Sequence, residues 1–241
     1  GGNICLIAPT GSGKTEFAIL RNGNRKMIYT LPLRVSLNDL YSNRFIHYLS
    51  KHGDEYLGLL HSTNLIEFAE HDGETSILNE DYLLLKVISS RILAPPFILS
   101  TPDQTLLISL KYFASEKIES ILPVVHVVLD EIQAYNPDML AIVGNTLKVL
   151  KNNGSMITVM TATLPAYIND ILLTDFNFKM IDLTEEEYKN LNVKNLSFFR
   201  HKIEYIEVAD ETEFIEQVKQ KIRSAFENGM NKIIVVLNTV R

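Results

Sequence analysis

Short apolar segments alternate with longer amphipathic segments along most of the 241-residue chain. The apolar segments have the length and composition of buried strands, whereas the segments between them carry apolar residues at helical spacing. The pattern predicts strands at residues 4–7, 25–31, 56–61, 97–100, 124–129 and 155–160. It predicts helices at residues 16–20, 36–51, 82–93 and 138–151, and a further helix that opens at 101–104.

This alternation predicts the α/β fold class, with a mainly parallel sheet flanked by helices. Residues 124–129 are almost entirely apolar and β-branched, which is typical of a strand buried on both faces of a parallel sheet. Ligands of such sheets bind at the carboxyl ends of the strands. The polar residues that follow each predicted strand are therefore the first candidates for function.

The pattern changes towards the C-terminus. It weakens between residues 174 and 200, and then predicts a strand at 202–208, a helix at 211–228 and a strand at 232–237. A single βαβ unit cannot bury its own faces, because an apolar face needs a second layer to cover it. We therefore expect two domains, residues 1–195 and residues 196–241, with the second only the beginning of a further lobe. The polar stretch 62–81 is expected to be a surface excursion.

The residues that follow the first strand, 8–15, are Ala-Pro-Thr-Gly-Ser-Gly-Lys-Thr. A glycine-rich loop between a strand and a helix, ending in Lys-Thr, is typical of a phosphate-binding loop, because its N–H groups and the helix start favour an anion. Lys14 is placed to reach the β- and γ-phosphates, and Thr15 to ligate Mg²⁺. The loop predicts a nucleoside triphosphate site that consists of Thr10, Gly11, Ser12, Gly13, Lys14 and Thr15.

One position departs from the consensus of this loop, since Ala8 stands where glycine is usual. Alanine is also small, and we interpret the change as a family variant. The alternative is an ordinary turn before a helix. A chance Gly-x-Gly-Lys-Thr is expected in only about 1% of chains of this length, and the strand and helix flanks favour the phosphate interpretation further.

An acidic pair, Asp130-Glu131, follows the predicted strand 124–129. Asp130 is placed to hold Mg²⁺, directly or through water, and Glu131 to orient and deprotonate an attacking water molecule. An Asp-Glu pair at the end of a strand is often only a solvated turn. Its occurrence in a chain with a phosphate-binding loop favours the catalytic interpretation, so both residues join the predicted nucleotide site.

Composition and charge narrow the classes of function. The net charge is −6, which excludes a broad basic surface for nucleic acid but permits a groove lined by backbone amides and a few cations. The single cysteine, Cys5, excludes an internal disulfide and a cysteine-based zinc site. No apolar run approaches the roughly 20 residues of a membrane span, and residue 1 opens directly onto the first strand without a signal segment. We expect a cytoplasmic protein with no membrane partner.

Several segments together resemble the motifs of superfamily-two DExH/D-box helicases, in order and spacing across nearly the whole chain. They are Asp130–Gln133 for the DExH/D box, Leu31–Arg34 for motif Ia, Thr101–Gln104 for motif Ib/Ic, Thr161–Thr163 for motif III and Ile234–Thr239 for motif IV. Three details are most similar to the helicase subunit of type I CRISPR interference: residues 130–135, Thr-x-Asp-Gln at 101–104, and Leu-His-Ser at 60–62.

The resemblance implies a RecA-like P-loop NTPase lobe followed by a truncated second lobe. It also implies ATP hydrolysis with Mg²⁺ between the lobes, 3′→5′ travel along single-stranded DNA, and partnership with a CRISPR surveillance complex and a separate or missing HD nuclease. By matching position, it assigns catalytic roles to Lys14, Glu131 and Gln133, DNA contacts to Arg34 and Thr101, and the coupling of hydrolysis to lobe movement to Thr161 and Thr163.

Several of these residues also have ordinary structural interpretations. Arg34 is equally suited to a surface ion pair, Asp103 to capping its helix, and the two threonines of motif III to a turn. Two histidines are interpreted as non-functional: His71 as part of a surface loop rather than of a nuclease site, and His126 as a buried core residue.

Two departures from the family limit what the chain is expected to do. The usual adenine-recognition segment is absent or lies before residue 1, and motifs V and VI lie beyond residue 241. The fragment is therefore expected to bind ATP better than it hydrolyses it. Two other functions stay open: another superfamily-two DNA or RNA helicase, and a nucleotide-switched binding module without turnover.

Overall fold

The computed structural model of the chain describes residues 2–49, 56–61, 80–105, 109, 115–135, 137–184 and 207–229. The chain divides into two compact units, Gly1–Leu196 and Ser197–Arg241. Most of the predicted surface excursion, His71, motif IV, nearly all of the strand predicted at 202–208 and the strand predicted at 232–237 lie outside the described residues.

Seven strands within the described part of the first unit form one sheet in the order β3-β4-β2-β5-β6-β1-β7. All six pairings between neighbouring strands are parallel. The strands are β1 (Ile4–Ile7), β2 (Lys26–Thr30), β3 (Leu57–Leu60), β4 (Phe97–Ser100), β5 (Val125–Asp130), β6 (Met156–Thr161) and β7 (Lys179–Asp182). The prediction of a parallel α/β sheet is confirmed.

Helices connect the strands. In the first unit they are α1 (Lys14–Asn22), α2 (Arg34–Leu40), α3 (Ile46–Leu49), α4 (Glu80–Arg91), α5 (Pro102–Thr105), α6 (Ser115–Ile121), α7 (Pro137–Asn152) and α8 (Ala166–Asp170). Short 3₁₀ turns cover Leu122–Val124 and Ile132–Ala134, and π-helical turns cover Tyr41–Phe45 and Ile171–Asp175.

The core lies on both faces of the sheet, because alternate residues of a strand point to opposite faces. In β5, Val127 and Leu129 belong to the apolar cluster that α7 and α8 cover, whereas Val128 belongs to the cluster that α1, α2 and α4 cover. Every residue of β5 and β6 is buried. These central strands are apolar on both faces, as expected for a parallel sheet between two helical layers.

The helix predicted at 36–51 is helical throughout its described part, but a π-helical turn at Tyr41–Phe45 separates α2 from α3. Such a turn inserts one extra residue into the helix, and the sequence pattern did not predict it. The pattern predicted no strand between residues 161 and 201, and this was wrong, because β7 pairs with β1 as an edge strand. Lys179 is exposed and the other three residues of β7 are only partly buried, so their sequence shows neither a long apolar run nor a clear alternation.

The described residues of the second unit, 207–229, contain one helix, α9 (Glu211–Glu227). Asp210 caps it, since its Oδ1 accepts a hydrogen bond of 2.8 Å from the N–H of Glu213. The Glu213 carboxylate in turn accepts from the N–H of Ala209 at 2.8 Å. This reciprocal capping fixes where α9 begins. Among all described residues, no helix is both long enough and apolar enough to span a membrane.

Candidate functional site

The sequence-predicted residues of the first unit lie near one another because the motifs follow parallel strands. Ala8 follows β1, Leu31 follows β2, Thr101 follows β4 and Glu131 follows β5. Since all neighbouring strands run the same way, these positions lie at one edge of the sheet, which we call the carboxyl edge. The prediction that the motifs converge on this edge is confirmed.

The loop between β1 and α1 has the backbone geometry of an anion site. Gly11 and Gly13 have φ values of 78° and 90°, in the left-handed region that strongly favours glycine. A Cβ at Gly13 would meet its nearest neighbour only at 3.7 Å, so the backbone angle, rather than crowding, requires glycine there. The first turn of α1 adds N–H groups without intrahelical acceptors and the positive end of the helix dipole.

Lys14 is the first residue of α1 and points back over this loop. Its Nζ donates to the carbonyl of Ala8 at 3.2 Å and lies 3.4 Å from Oε1 of Glu131. Only 8% of Lys14 is exposed. The ammonium group is thus held between the loop and the acidic pair, within reach of an anion bound to the loop.

Asp130 and Thr15 are joined through a third residue, Tyr29. The Tyr29 hydroxyl donates to Oδ2 of Asp130 at 2.5 Å and lies 3.4 Å from Oγ1 of Thr15. The other carboxylate oxygen of Asp130 accepts from the N–H of Glu131 at 3.0 Å. Asp130 and Thr15 are 6% and 8% exposed, so this cluster is largely withdrawn from bulk water.

Burial dominates the electrostatics of the cluster. It raises the pKa of Asp130 to about 6, and the nearby charge of Glu131 adds to this shift, while the Tyr29 hydroxyl and Lys14 act in the opposite direction. Burial and the charge of Asp130 also raise the pKa of Tyr29 well above its ordinary value. Tyr29 therefore keeps its proton near neutral pH and acts as the donor to Asp130.

A chain of polar contacts runs from the acidic pair to β6. Glu131 itself has a left-handed backbone, with φ of 53°. Gln133 Nε2 donates to Oε2 of Glu131, and Gln133 Oε1 accepts from the hydroxyl of Thr161. That hydroxyl also contacts the carbonyl of Thr163 and accepts from its N–H at 3.2 Å. Hydrogen bonds thereby link the Glu131 carboxylate to the loop after β6.

A pocket of about 300 Å³ lies between the loop and the acidic pair, lined by Gly11, Gly13, Lys14, Thr15, Asp130 and Glu131 among others. Beside it, the buried hydroxyl of Ser12 has no hydrogen-bond partner among the described residues. A buried polar atom normally has a partner, so the orphaned Ser12 hydroxyl favours a polar ligand.

The same pocket fits a magnesium ion that accompanies a phosphate. Mg²⁺ is usually held by one or two carboxylates together with waters and substrate phosphates. Asp130 offers one carboxylate and Thr15 one hydroxyl at the phosphate loop. In the described part of the chain, no group of three or more His, Cys, Asp or Glu side chains forms a metal cage. The residues present therefore suit a metal bound with nucleotide rather than one held by protein alone.

The predicted nucleic-acid residues differ in their access to solvent. Arg34, the first residue of α2, is exposed, whereas Thr101 is 3% exposed and donates its N–H to the carbonyl of Leu60 at 3.2 Å. Burial lowers the pKa of His61 at the end of β3, the charge of Arg34 lowers it further, and the charge of Asp103 opposes the shift. Thr101 thus offers a ligand little of its side chain.

Sequence reasoning missed two residues near the pocket. Tyr29 lies inside a buried strand, where a tyrosine is ordinarily a packing residue, and only its reach to Asp130 distinguishes it. Arg44 borders the pocket from the π-helical turn, which no hydrophobic period predicts. Its Nη1 lies 3.8 Å from Oε1 of Glu16. A π-turn inside a helix is itself a common sign of a functional site, but it is visible only in the structure.

Comparison with known proteins gives a family and a curated relative. Residues 1–171 match the family described as DEAD/DEAH box helicase. The chain is 37% identical over 240 residues to the CRISPR-associated nuclease/helicase Cas3 of Methanothermobacter thermautotrophicus. That match covers 99% of this chain and 28% of the relative, so the chain spans less than a third of the length of this larger protein.

Solved structures share the fold. The T. fusca Cas3–AMPPNP structure has a TM-score of 0.59 at 23% identity and covers 73% of this chain and 20% of that one. The DUF1998 helicase MrfA has a TM-score of 0.51 at 15% identity and covers 97% of this chain and 38% of that one. At these identities, the comparison supports the RecA-like helicase architecture of the sheet.

Proposed function

The chain belongs to the DEAD/DEAH box helicase family, a class of NTP-hydrolysing enzymes, and from that premise we propose that it is the ATP-binding part of a DNA-translocating helicase of CRISPR interference. The observation that carries the proposal is the convergence of Lys14, Thr15, Asp130 and Glu131 on one pocket beside a phosphate-type loop. The similarity to a CRISPR-associated nuclease/helicase across nearly the whole chain supports the biological setting.

ATP is proposed to bind with its β- and γ-phosphates against the N–H groups of residues 10–15 and the Nζ of Lys14. These donors are fixed by the loop and by the start of α1, so little reorganisation is needed when the charge of the phosphates arrives. Mg²⁺, held by Thr15 and Asp130, would neutralise phosphate charge when bound. Lys14 Nζ now contacts the carbonyl of Ala8 and the carboxylate of Glu131, and phosphate oxygens would replace these two partners.

Glu131 is then released to act on water. Its carboxylate accepts a proton as the water oxygen forms a bond to the γ-phosphorus and the bond from phosphorus to the ADP oxygen breaks. The contact of Gln133 with both Glu131 and Thr161 suits a sensor that reports the state of the nucleotide. Thr161 and Thr163 would pass that state to the loop after β6, and so to lobe movement.

Single-stranded DNA is the proposed track, with travel in the 3′→5′ direction. Arg34 is suited to a phosphate contact, because it is exposed at the first residue of α2. Thr101 would contribute through the backbone of its loop more than through its buried side chain. We further propose that residues 1–195 are the first RecA-like lobe, that residues 196–241 begin the second, and that the protein acts in the cytoplasm with a CRISPR surveillance complex and an HD nuclease.

The test measures ATP hydrolysis by the purified full-length protein with Mg²⁺, alone and with single-stranded DNA or RNA. The proposal expects stimulation by DNA and not by RNA. Lys14→Ala removes the phosphate-binding ammonium group and is expected to lower the rate by about 10²–10³-fold. Lys148→Ala, an exposed lysine on α7, is the matched control and is expected to keep the native rate.

Each contrary result points to a specific error. Stimulation by RNA alone would indicate another superfamily-two helicase. Hydrolysis that survives Lys14→Ala would place the nucleotide elsewhere. Nucleotide binding without any turnover, with or without nucleic acid, would favour a nucleotide-switched binding module.

A further inference from the structure

We propose that Tyr29 is a positioning residue for the magnesium site, and that its hydroxyl holds Thr15 and Asp130 in the geometry that binds the metal. The inference rests on the nucleotide and magnesium site proposed above and adds to it a residue from a neighbouring strand. Its basis is one hydroxyl oxygen that lies 2.5 Å from Oδ2 of Asp130 and 3.4 Å from Oγ1 of Thr15.

Tyr29 is held rigidly enough for this role. It is 0% exposed and lies in β2, which pairs with β4 on one side and β5 on the other. Its ring packs edge-on against Phe45, with centroids 5.7 Å apart and planes at 69°. Because the ring is enclosed by core residues, its hydroxyl has one fixed position at the carboxyl edge.

The arrangement of protons follows from the chemistry of the three groups. The Asp130 carboxylate only accepts, so the single Tyr29 proton points to Oδ2. The Tyr29 oxygen is then free to accept the proton of the Thr15 hydroxyl. With its proton directed to Tyr29, Thr15 keeps its lone pairs for a metal. Hydrogen bonds of this kind orient metal ligands, and their loss typically weakens metal binding about 10–100-fold.

A purely structural role makes a different prediction. If Tyr29 only fills the core, Tyr29→Phe keeps the ring and its packing against Phe45, and metal binding stays native. Tyr41→Phe is the matched control, because Tyr41 is 1% exposed in the same apolar cluster and is not among the residues that line the pocket. Both substitutions remove one phenolic oxygen from the same layer of the core.

The experiment measures Mn²⁺ binding to the full-length protein with ADP, by electron paramagnetic resonance of the free ion. Tyr29→Phe is expected to raise the Mn²⁺ dissociation constant about 10-fold or more, while ADP affinity in EDTA stays native. Tyr41→Phe is expected to leave both constants unchanged. A native Mn²⁺ constant for Tyr29→Phe overturns the inference, whereas failure of the native protein to bind Mn²⁺ with ADP overturns the proposed site itself.

A second measurement does not depend on the folding of a variant. Fluorine NMR of 3-fluorotyrosine placed at position 29 keeps the ring and the hydroxyl. Adding Mg²⁺ to the ADP complex is expected to shift the resonance of position 29, and to leave that of position 41 in place. A resonance at position 29 that does not respond to Mg²⁺ contradicts the role.

Discussion

The two ends of strand β5 each contain a buried polar residue, and they differ in what surrounds it. His126 lies near the amino end and Asp130 at the carboxyl end, about 13 Å apart along the strand. His126 is 0% exposed and Asp130 6% exposed. Both are therefore removed from water, so burial alone does not distinguish a structural polar residue from a functional one.

At the amino end, the polar groups satisfy one another through a continuous series of hydrogen bonds. Arg21 Nη1 donates to Oγ1 of Thr158 at 2.7 Å, and Thr158 lies 2.7 Å from Nε2 of His126. His126 Nδ1 lies 3.1 Å from Oδ1 of Asn22, whose side-chain amide donates to the carbonyl of Arg25 at 2.6 Å. This arrangement indicates a neutral His126 with its proton on Nδ1, and both ring nitrogens are satisfied by protein. The interpretation of His126 as a core residue therefore fits the geometry.

At the carboxyl end the polar groups border a pocket instead. Lys14, Asp130 and Glu131 face the same space, and their bonds to one another leave further lone pairs and protons for a ligand. A polar network whose members satisfy one another's hydrogen bonds, as at the amino end, stabilises the fold. A network that keeps charge and unused bonding capacity at a pocket is a candidate for chemistry.

The largest effect is expected from a substitution at the carboxyl end, on the rate of ATP hydrolysis. Glu131→Gln keeps the shape of the side chain but removes the proton acceptor, and it is expected to lower ATP hydrolysis about 10²–10⁴-fold. ATP binding, measured separately by equilibrium titration, is expected to persist. Glu116→Gln, the same substitution at an exposed position of α6, serves as the control. If Glu131→Gln lowers the rate of ATP hydrolysis by less than 10-fold, Glu131 is not the catalytic base.

A smaller effect, on stability, is expected at the amino end. Burial, with the charges of Arg21 and Arg25, lowers the pKa of His126 to about 3. In the unfolded chain a histidine takes up its proton near pH 6.5. The stabilisation from neutral His126 is thus fully present above pH 6.5 and is lost as the pH falls towards 3. Between pH 6 and 4, the free energy of unfolding is expected to fall by about 1.4 kcal/mol per pH unit, the slope for one proton bound by the unfolded chain and not by the folded one.

Urea unfolding of the native protein and of His126→Gln at several pH values checks this expectation. The difference in the free energy of unfolding between the two proteins should shrink as the pH falls, because only the native chain loses the histidine contribution. His47→Gln, at an exposed position of α3, is expected to reproduce the native pH dependence. If the free energy of unfolding changes with pH in the same way for the native protein and for His126→Gln, neutral His126 does not stabilise the fold as proposed.

The sequence allowed much of the fold to be predicted, because its main signals are local. Residues 124–129 show their burial on both faces directly, and the glycine-rich loop and Asp130-Glu131 follow strands whose ends must meet in a parallel sheet. The edge strand β7 was missed because its four residues, one exposed and three half-buried, show little hydrophobic pattern. The predicted division near residue 195 and the predicted roles of individual site residues stay predictions.

What the sequence did not reveal depends on distant contacts. Tyr29 and Asp130 are 101 positions apart, and nothing in the apolar segment 26–31 distinguishes a hydroxyl that reaches a carboxylate from one that only packs. Thr101 is buried and donates its N–H to the carbonyl at the end of β3, a contact that no local motif specifies. Such features become visible only when the strands are side by side.

A crystal structure of the protein with Mg²⁺ and a non-hydrolysable ATP analogue would show whether the carboxyl end of β5 is the nucleotide site that we propose. We expect the β- and γ-phosphates against residues 10–15, the metal between Thr15 and Asp130, and Lys14 Nζ moved from Glu131 to a phosphate oxygen. Nucleotide bound elsewhere, or a Lys14 that keeps its contact with Glu131 while nucleotide occupies the pocket, would contradict that proposal.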